Sequence, residues 1–296
     1  MPSTDSGNVA DLATQPSDHE AMGKKSKAQK RRQAEKKQHP VAPKPSKKAP
    51  PPPVTAAHAS APQPAKKTAL SALQEKLLKK LSGGRFRQLN EDLYTSSGSA
   101  NFARFSADPE LADAYHRGFR EQARGWPENP LDAIIAALAS GPRRVVADFG
   151  CGDARLAAEL NATHEVHSFD LVATAPGVVA CNIERVPLAA ASVDVAVFCL
   201  ALMGPSHWAF LREAHRVLRP DGELRVTEVK SRFDDAKGGV AGFVAGARAL
   251  GFDEVRRDAK NKMFVAFVFR KADRKPDAAK LAKVGFAFRA CLYKKR

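Results

Sequence analysis

The stretch VVADFGCGDARLAAEL (residues 145–160) decides the fold, because it predicts a buried strand, a tight glycine turn and a helix in immediate succession. The opening residues are apolar apart from one acid and rich in β-branched side chains, which is typical of a strand covered on both faces. Gly150 and Gly152 lack a Cβ atom, so the backbone can turn sharply and a ligand can lie directly against it. The helix that follows presents free N–H groups to that ligand.

Arg155 stands where a dinucleotide-binding Gly-x-Gly-x-x-Gly fingerprint requires its third glycine. An acid-x-Gly-x-Gly loop without that glycine indicates a nucleoside ligand with no pyrophosphate, above all S-adenosylmethionine. Asp170 lies 20 residues after Gly150 and ends a second apolar run, where its carboxylate can accept hydrogen bonds from both ribose hydroxyls. The alternative is a plain strand–turn–helix in which Asp170 only caps a strand end.

The composition predicts a soluble, unsecreted protein with a polyanionic partner. The chain has 296 residues, 44% of them apolar, and a formal net charge of +16. It contains no apolar run near the roughly 18 residues of a membrane span and no signal-peptide pattern, so no membrane association is expected. The four cysteines are widely spaced without a Cys-x-x-Cys pair, which argues against a zinc cluster and against a disulfide scaffold.

Residues 1–69 are predicted to form a disordered basic tail. This segment holds 11 of the 20 prolines and 13 Lys/Arg against 5 Asp/Glu, and it has almost no large apolar residues. The dense basic run at residues 24–37 fits a nuclear or nucleolar address and an RNA-binding arm. A merely solubilising tail is the alternative.

Residues 70–128 are predicted to form a helical segment that covers the core, binds substrate, or does both. Regularly spaced leucines indicate a helix over residues 70–81 that ends at Gly83 and Gly84, and a second helix is predicted over residues 108–124. Residues 129–139 are predicted to form an apolar helix that leads into the first strand.

Strands and helices alternate through residues 129–296, which are predicted to form the catalytic domain. Six strands are predicted after the one in the opening stretch, at residues 165–170, 177–181, 192–199, 223–229, 254–258 and 263–269. This pattern predicts an α/β fold with a doubly wound, seven-stranded sheet whose last strand is antiparallel. Gly150, Asp170, Asn182 and Cys199 all fall at strand carboxyl ends, where such sheets bind ligands.

The sequence resembles the ribosomal RNA-processing protein 8 family from about residue 80 to the end. The segment FCLALMG (residues 198–204) is far more specific for this family than the glycine loop, which many methyltransferases share. The matching stretches are GRFRQLNE (84–91), YHRGF (115–119), VADFGCGD (146–153), SVDVAVFCLALMG (192–204), SRF (231–233) and CLYKKR (291–296).

The resemblance implies a Rossmann-like class I methyltransferase that uses S-adenosylmethionine. The family forms N1-methyladenosine in the large-subunit ribosomal RNA precursor, in the nucleolus, as part of rRNA processing and ribosome biogenesis. Six residues are implied by position to bind the cofactor: His116, Gly150, Asp170, Asn182, Ile183 and Cys199. Asn182 replaces an aspartate that the family tends to carry, but its amide can still accept and donate hydrogen bonds.

The chemistry implied for the substrate needs no catalytic acid or base, because adenine N1 already holds a lone pair. N1 lies on the Watson–Crick edge, so the target adenine must be unpaired or flipped out. Basic or aromatic candidates for the RNA-contacting surface are Arg85, Phe86, Arg87, Tyr94, Arg117, Arg232 and Phe233. Cys199 lacks a preceding proline and a second cysteine, which argues against a 5-methylcytosine nucleophile, and the fourth strand lacks the Asn/Asp-Pro-Pro-aromatic end of exocyclic-amine methyltransferases.

Two alternative functions stay open at this stage. The first is a nucleolar chromatin-associated protein that binds methylated histone tails, silences ribosomal DNA and uses the cofactor site as a sensor, although the chain offers only two Trp and three Tyr for an aromatic cage. The second is a small-molecule or protein methyltransferase with the same core, against which the basic tail and the block at residues 85–94 argue.

Overall fold

The computed structural model describes residues 71–234 and 236–291. The predicted disordered tail, its basic run and the last five residues of the chain lie outside the described residues. The division of the chain at residues 69 and 128 therefore stays a prediction. Within the described ranges, no helix is both long enough and apolar enough to cross a membrane.

In the described part of the chain, four helices precede the first strand. Helices then follow β1, β4 and β5, whereas β2, β3 and β4 succeed one another without a helix between them, as do β6 and β7. The N-terminal helices are α1 (Ala72–Thr95), α2 (Gly98–Ala107), α3 (Glu110–Ala123) and α4 (Pro130–Ala139). The remaining elements are β1 (Val145–Phe149), α5 (Arg155–Leu160), β2 (Glu165–Asp170), β3 (Val178–Ala180), β4 (Val193–Cys199), α6 (His207–Val217), β5 (Leu218–Val229), α7 (Ser231–Asp234), α8 (Gly239–Ala249), β6 (Phe252–Asp258), β7 (Phe264–Lys271) and α9 (Ala278–Val284).

The seven strands form one sheet in the order β3-β2-β1-β4-β5-β7-β6. Neighbouring strands from β3 to β5 pair in parallel, whereas β7 pairs antiparallel with both β5 and β6. The predicted doubly wound, seven-stranded sheet with an antiparallel last strand is confirmed. Because the strand order reverses between β1 and β4, a crevice opens at the carboxyl ends of these two strands.

The sheet is buried on both faces, as the apolar strands predict. One face packs Phe149, Phe169 and Phe198 into a large cluster with residues of α6 and α8. The other face packs Val146 and Val195 against α4 and α5. Close packing on both faces of the sheet therefore fixes the strands whose carboxyl ends form the crevice.

Helix α1 does not end at Gly83 and Gly84, so that prediction is wrong. The helix continues to Thr95, and its second half buries Phe86 and three other residues. Gly118 of α3 lies so close to the Phe86 ring that an added Cβ would be 2.5 Å from it. Burial of such an aromatic ring outweighs the roughly 1 kcal/mol that each glycine costs inside a helix.

The leucines of the first half of α1 do not cover the core. Leu73, Leu77, Leu78 and Leu81 are each at least half exposed. The first half of α1 is therefore exposed, whereas its second half buries Phe86, Leu89 and Leu93.

Three helices and one irregular strand differ from the predicted pattern. Helices α2, α7 and α9 were not predicted from the sequence. The chain forms a bulge inside β5 at residues 219–222, because Val193 pairs with Leu218 whereas Val195 pairs with Glu223. Asp221 has a φ of 59°, which lets the chain loop out and return to the same strand.

Three of the residues predicted to contact RNA are buried, so these predictions are wrong. Phe86, Arg232 and Phe233 are each 1% exposed. Arg232 forms an ion pair with Glu228, in which Nη1 lies 2.7 Å from Oε2, and its Nη2 donates to the Leu202 carbonyl at 2.7 Å. Its guanidinium also lies over the rings of Tyr94 and Phe288, 4.7 and 4.2 Å from their centroids. These contacts position the chain after β4, while Arg85 and Arg117 stay exposed.

Candidate cofactor site

The glycine turn after β1 is tied to the end of β2. The N–H groups of Gly150 and Cys151 donate to the Phe169 carbonyl at 2.8 and 3.0 Å. Gly150 has a φ of 75°, and an added Cβ would lie 2.6 Å from the Cβ of Ala201. Gly152 has a φ of 57°, but an added Cβ there would meet nothing within 4 Å. Gly150 is thus required for close packing, and Gly152 leaves space free beside the loop.

Asp170 is held rigidly at the carboxyl end of β2. Its Oδ2 accepts from the N–H of Gly152 at 2.8 Å, and its Oδ1 accepts from the N–H of Leu171 at 2.7 Å. Each carboxylate oxygen keeps a second lone pair for a ligand hydroxyl. Burial raises the pKa of Asp170 above its ordinary value. The geometry suits a pair of neighbouring hydroxyl donors, as on a ribose.

His116 projects from α3 between two carboxylates. Its Nε2 lies 3.9 Å from Asp170 and its Nδ1 lies 3.9 Å from Asp153, both beyond hydrogen-bond distance. The residue is 9% exposed, and its buried Nδ1 has no hydrogen-bond partner among the described residues. Because buried polar atoms are normally paired, this nitrogen is available to a polar ligand group.

Asn182 and Ile183 follow β3 at the far end of the crevice, beneath α2. The Asn182 side chain donates to the Ser99 hydroxyl at 3.3 Å and accepts from the N–H of Glu184 at 3.1 Å. An added Cβ at Gly98 would lie 2.8 Å from the Asn182 oxygen, so α2 closes tightly over this end. Ile183 is buried. The unpredicted helix α2 is therefore part of the site.

Asp148 is the acid of the acid-x-Gly-x-Gly loop, but it is not among the six residues predicted to bind the cofactor. It is 3% exposed, and it forms no salt bridge among the described residues. Burial, together with the neighbouring charge of Asp170, raises the pKa of Asp148 from 3.8 to about 7. A buried carboxylate without a cationic partner favours a positively charged ligand beside it.

Cys199 ends β4, and burial raises the pKa of its thiol above the ordinary value. The thiol is therefore neutral near physiological pH, which does not suit a nucleophile. Leu200 follows with a φ of 60°, an uncommon conformation for a branched side chain, and its N–H donates to the Thr227 carbonyl at 2.9 Å. This turn directs the chain after β4 across the crevice.

These residues share one pocket of about 380 Å³. All six residues predicted to bind the cofactor line it, together with Asp148 and Asp153. That the six bind the cofactor stays a prediction, since the structure shows their placement alone. The described part of the chain holds no group of three or more His, Cys, Asp or Glu that could bind a metal ion, and the four cysteines are free.

Comparison with known proteins identifies the family to which this chain belongs. A family model described as "Hypothetical methyltransferase" matches residues 72–296. Ribosomal RNA-processing protein 8 of Arabidopsis thaliana is 46% identical over 242 residues, which cover 81% of this chain and 83% of the relative. The chain belongs to the ribosomal RNA-processing protein 8 family of methyltransferases.

Two further family members are similar over most of this chain. A Schizosaccharomyces pombe protein named 25S rRNA (adenine(645)-N(1))-methyltransferase is 44% identical over 243 residues, which cover 78% of this chain and 75% of the relative. Ribosomal RNA-processing protein 8 of Rattus norvegicus is 44% identical over 230 residues, which cover 77% of this chain but only 49% of the longer relative.

The pocket of this ribosomal RNA-processing protein 8 family member fits S-adenosylmethionine, the cofactor of the enzyme. Gly152 leaves open space beside the loop, Asp170 presents two fixed acceptors, and His116 carries an unpartnered buried nitrogen. The volume is typical of small-molecule sites. Asp148 and Asp170 lie at the glycine loop, where a sulfonium and an ammonium group would offset their charge.

Proposed function

We propose that the chain transfers a methyl group from S-adenosylmethionine to N1 of an adenine in large-subunit ribosomal RNA, during ribosome biogenesis. The observation that carries this proposal is the acid-lined pocket at the carboxyl ends of β1, β2 and β4 in a member of this methyltransferase family. The name of the S. pombe relative supports the choice of adenine N1.

The cofactor supplies a methyl group activated by a sulfonium centre, so the protein chiefly orients the reactants. Asp170 would hold the ribose hydroxyls, and the backbone of Gly150 and Gly152 would lie against the amino-acid part. Asn182 and Ile183 would hold the adenine of the cofactor, under α2. Asp148 would lower the energy of the cationic bound state through its negative charge.

No general base is required for this reaction. Adenine N1 attacks with its own lone pair, and the N1-methylated base keeps the positive charge that the sulfonium loses, so no proton has to leave in the transfer step. The neutral Cys199 thiol is consistent with direct transfer rather than a covalent intermediate on the base. The pocket needs to align N1 with the methyl carbon and to exclude water.

The partner of this proposal is the large-subunit rRNA precursor, and the site of action is the nucleolus. The net charge of +16 supports binding to a polyanion, because basic side chains release counterions from RNA phosphates. The chromatin-bound alternative has no comparable support, and a pull-down of the full chain on methylated histone peptides against RNA separates the two.

The experiment that tests the proposal replaces the gene with an Asp170→Asn allele. Calorimetry on the purified variant should show cofactor affinity at least about tenfold weaker, because each hydrogen bond to a charged group contributes about 1.5–3 kcal/mol. Reverse-transcription stops on large-subunit rRNA should disappear at one adenosine. Asp113→Asn on α3, at a 68% exposed side chain, is the matched control and should leave both unchanged. A stop that persists when the gene is deleted would reject the proposal.

A further inference from the structure

The pocket has a second wall that the six predicted cofactor residues do not form. This wall, here called the aromatic compartment, comes from the end of α3, the loop after it and the start of α4. Its members are Phe119, Ala123, Trp126, Asn129 and Leu131. None of them lies at the end of a strand, so the pattern of strand ends did not point to them.

The aromatic compartment lies on the β5 side of the cofactor residues. Trp126 packs against Phe264, with ring centroids 5.0 Å apart. Phe264 is the first residue of β7 and pairs with Val229, at the carboxyl end of β5. The cofactor residues occupy the ends of β1 to β4, so the pocket continues past Cys199 toward β5. A ligand in the aromatic compartment would therefore lie next to a cofactor bound at the ends of β1 to β4.

The rings of the compartment are fixed against one another. Tyr115 and Phe119 are stacked with centroids 6.3 Å apart, and Phe119 meets Trp126 edge to face at 5.5 Å and 84°. Phe264 anchors the row because it is 2% exposed. Tyr115, Phe119 and Trp126 are half-buried, so they keep surface on the pocket side. A preordered apolar surface of this kind suits a flat heteroaromatic ring.

Asn129 adds the polar group that the compartment needs for selectivity. It is the N-cap of α4, and its Oδ1 accepts from the N–H of Leu131 at 3.0 Å. That oxygen keeps one lone pair, and its Nδ2 donates to no acceptor among the described residues. A carboxamide with both groups available can bind N6 and N7 of adenine at once.

We propose that the aromatic compartment receives the flipped-out target adenine, with Asn129 bound to the Hoogsteen edge. The inference rests on the proposed function and deepens it. The base stacks on Trp126 and Phe119, its N6 amine donates to Asn129 Oδ1, and Asn129 Nδ2 donates to N7. N1 lies on the other edge and is left free for the methyl group. Guanine would present O6 in place of the amine, so two acceptors would meet and guanine would be rejected.

The experiment pairs the protein change with a matching change of one RNA atom. Asn129→Ser keeps an N-cap side chain but cannot reach the base. An RNA carrying 7-deazaadenosine at the target lacks the N7 acceptor. The 7-deaza RNA loses one hydrogen bond and should be methylated about fivefold to tenfold more slowly, whereas Asn129→Ser loses the contacts to both N6 and N7 and should lower the rate further. Asn129→Ser should lower the rate by a smaller factor on the 7-deaza RNA than on the unmodified RNA, because the contact with N7 is already absent there.

A second variant tests the stacking surface. Trp126→Ala should lower methyl transfer at least about fivefold, because one base–aromatic stack contributes roughly a factor of 5 to 150. Cofactor affinity by calorimetry should be unchanged. Val255→Ala on β6, at a 54% exposed apolar side chain outside the pocket, is the control and should retain activity. With 2-aminopurine at the target, binding to the wild type should quench its fluorescence more than binding to Trp126→Ala.

The outcomes separate the two proposals. Full activity of Asn129→Ser and Trp126→Ala, or independent losses from Asn129→Ser and 7-deazaadenosine, would overturn the aromatic compartment while the function stands. A wild-type chain that binds cofactor but methylates no RNA adenosine would overturn the function, and the compartment with it. Capture of a trimethyl-lysine peptide that depends on Trp126, with unchanged RNA methylation, would assign the rings to a histone tail instead.

Discussion

Asp148 makes opposite contributions to folding and to cofactor binding, and replacing it with asparagine separates them. The carboxylate is 3% exposed and has no salt-bridge partner among the described residues, so the folded protein holds it at a pKa of about 7. The unfolded chain would titrate it near its ordinary value of 3.8. The folded state thus keeps a proton that the unfolded state releases between these two pH values.

The sign and size of the stability effect follow from this difference. As the pH rises from about 4 to about 7, the unfolded state is favoured by about 1.4 kcal/mol per pH unit, and above pH 7 the effect levels off. Asp148→Asn removes this dependence. Its free energy of unfolding relative to the wild type should therefore increase by about 2.5 kcal/mol between pH 5 and pH 8. The comparison between two pH values cancels the constant effect of the amide.

Cofactor binding should change in the other direction. A cationic ligand favours the ionised carboxylate, so the affinity of the wild type for the cofactor should rise from pH 6 to pH 8. The rise is at most about tenfold per pH unit, in the range where Asp148 must release its proton for the ligand to bind. Asp148→Asn should bind about 10–100-fold more weakly at pH 8, because a contact with a charged group is lost. Its affinity should also lose the pH dependence that Asp148 causes. A variant that is more stable but binds more weakly is the combined signature.

Urea denaturation of the cofactor-free protein at pH 5, 6, 7 and 8 measures the first effect, and calorimetry over the same range measures the second. Asp113→Asn is the matched control, because it makes the same change from acid to amide at an exposed side chain outside the pocket. A stability difference between Asp148→Asn and wild type that varies by less than about 0.5 kcal/mol from pH 5 to pH 8 would refute the reasoning. The carboxylate would then be paired or solvated, and the argument for a cationic ligand would fail.

Substitutions at three further places test other parts of the structure. Gly150→Ala should lower the melting temperature strongly, because the added Cβ would collide with Ala201. Gly152→Ala should mainly weaken cofactor binding, measured by calorimetry, because an added Cβ there would meet no protein atom within 4 Å but would enter the space beside the loop. Arg232→Met should lower the free energy of unfolding by about 3–5 kcal/mol, measured by urea, and adding Glu228→Gln should recover part of that loss. Cys199→Ala should keep methyl transfer within about threefold in a radiolabel assay; a complete loss would point to a covalent thiol.

The sheet could be predicted from the sequence because its strands are short apolar runs bounded by glycines and acids. All seven strands were found, although β5 begins earlier than predicted because a bulge returns the chain to the same strand. Helix α1 was cut short because the prediction weighed Gly83 and Gly84 alone. The contact between Phe86 and α3, which carries the helix past them, joins residues far apart in the sequence.

The site could be predicted where its residues end strands and could not where the tertiary fold brings them in. His116, Asp170 and Asn182 reach one pocket as expected, the first through the family resemblance alone. Arg232 was misassigned to the surface because an arginine beside a phenylalanine resembles an RNA contact. Its buried partner, Glu228, lies four residues earlier in the sequence, and this spacing was the one signal that could have corrected the assignment.

The same strand–turn–helix that binds pyrophosphate in other proteins is converted here into a site for a cation. The N–H of Gly152 would face a phosphate in such a loop, but it already donates to Asp170 at 2.8 Å. Arg155, at the start of α5, forms ion pairs with Asp132 at 2.6 Å and with Glu159 at 2.7 Å, and these two carboxylates offset its positive charge. Asp148 adds a second carboxylate below the turn. A pyrophosphate in this position would be repelled by the two carboxylates, whereas a dinucleotide site offers it free N–H groups. The positive charge of a sulfonium nucleoside is instead attracted by both carboxylates.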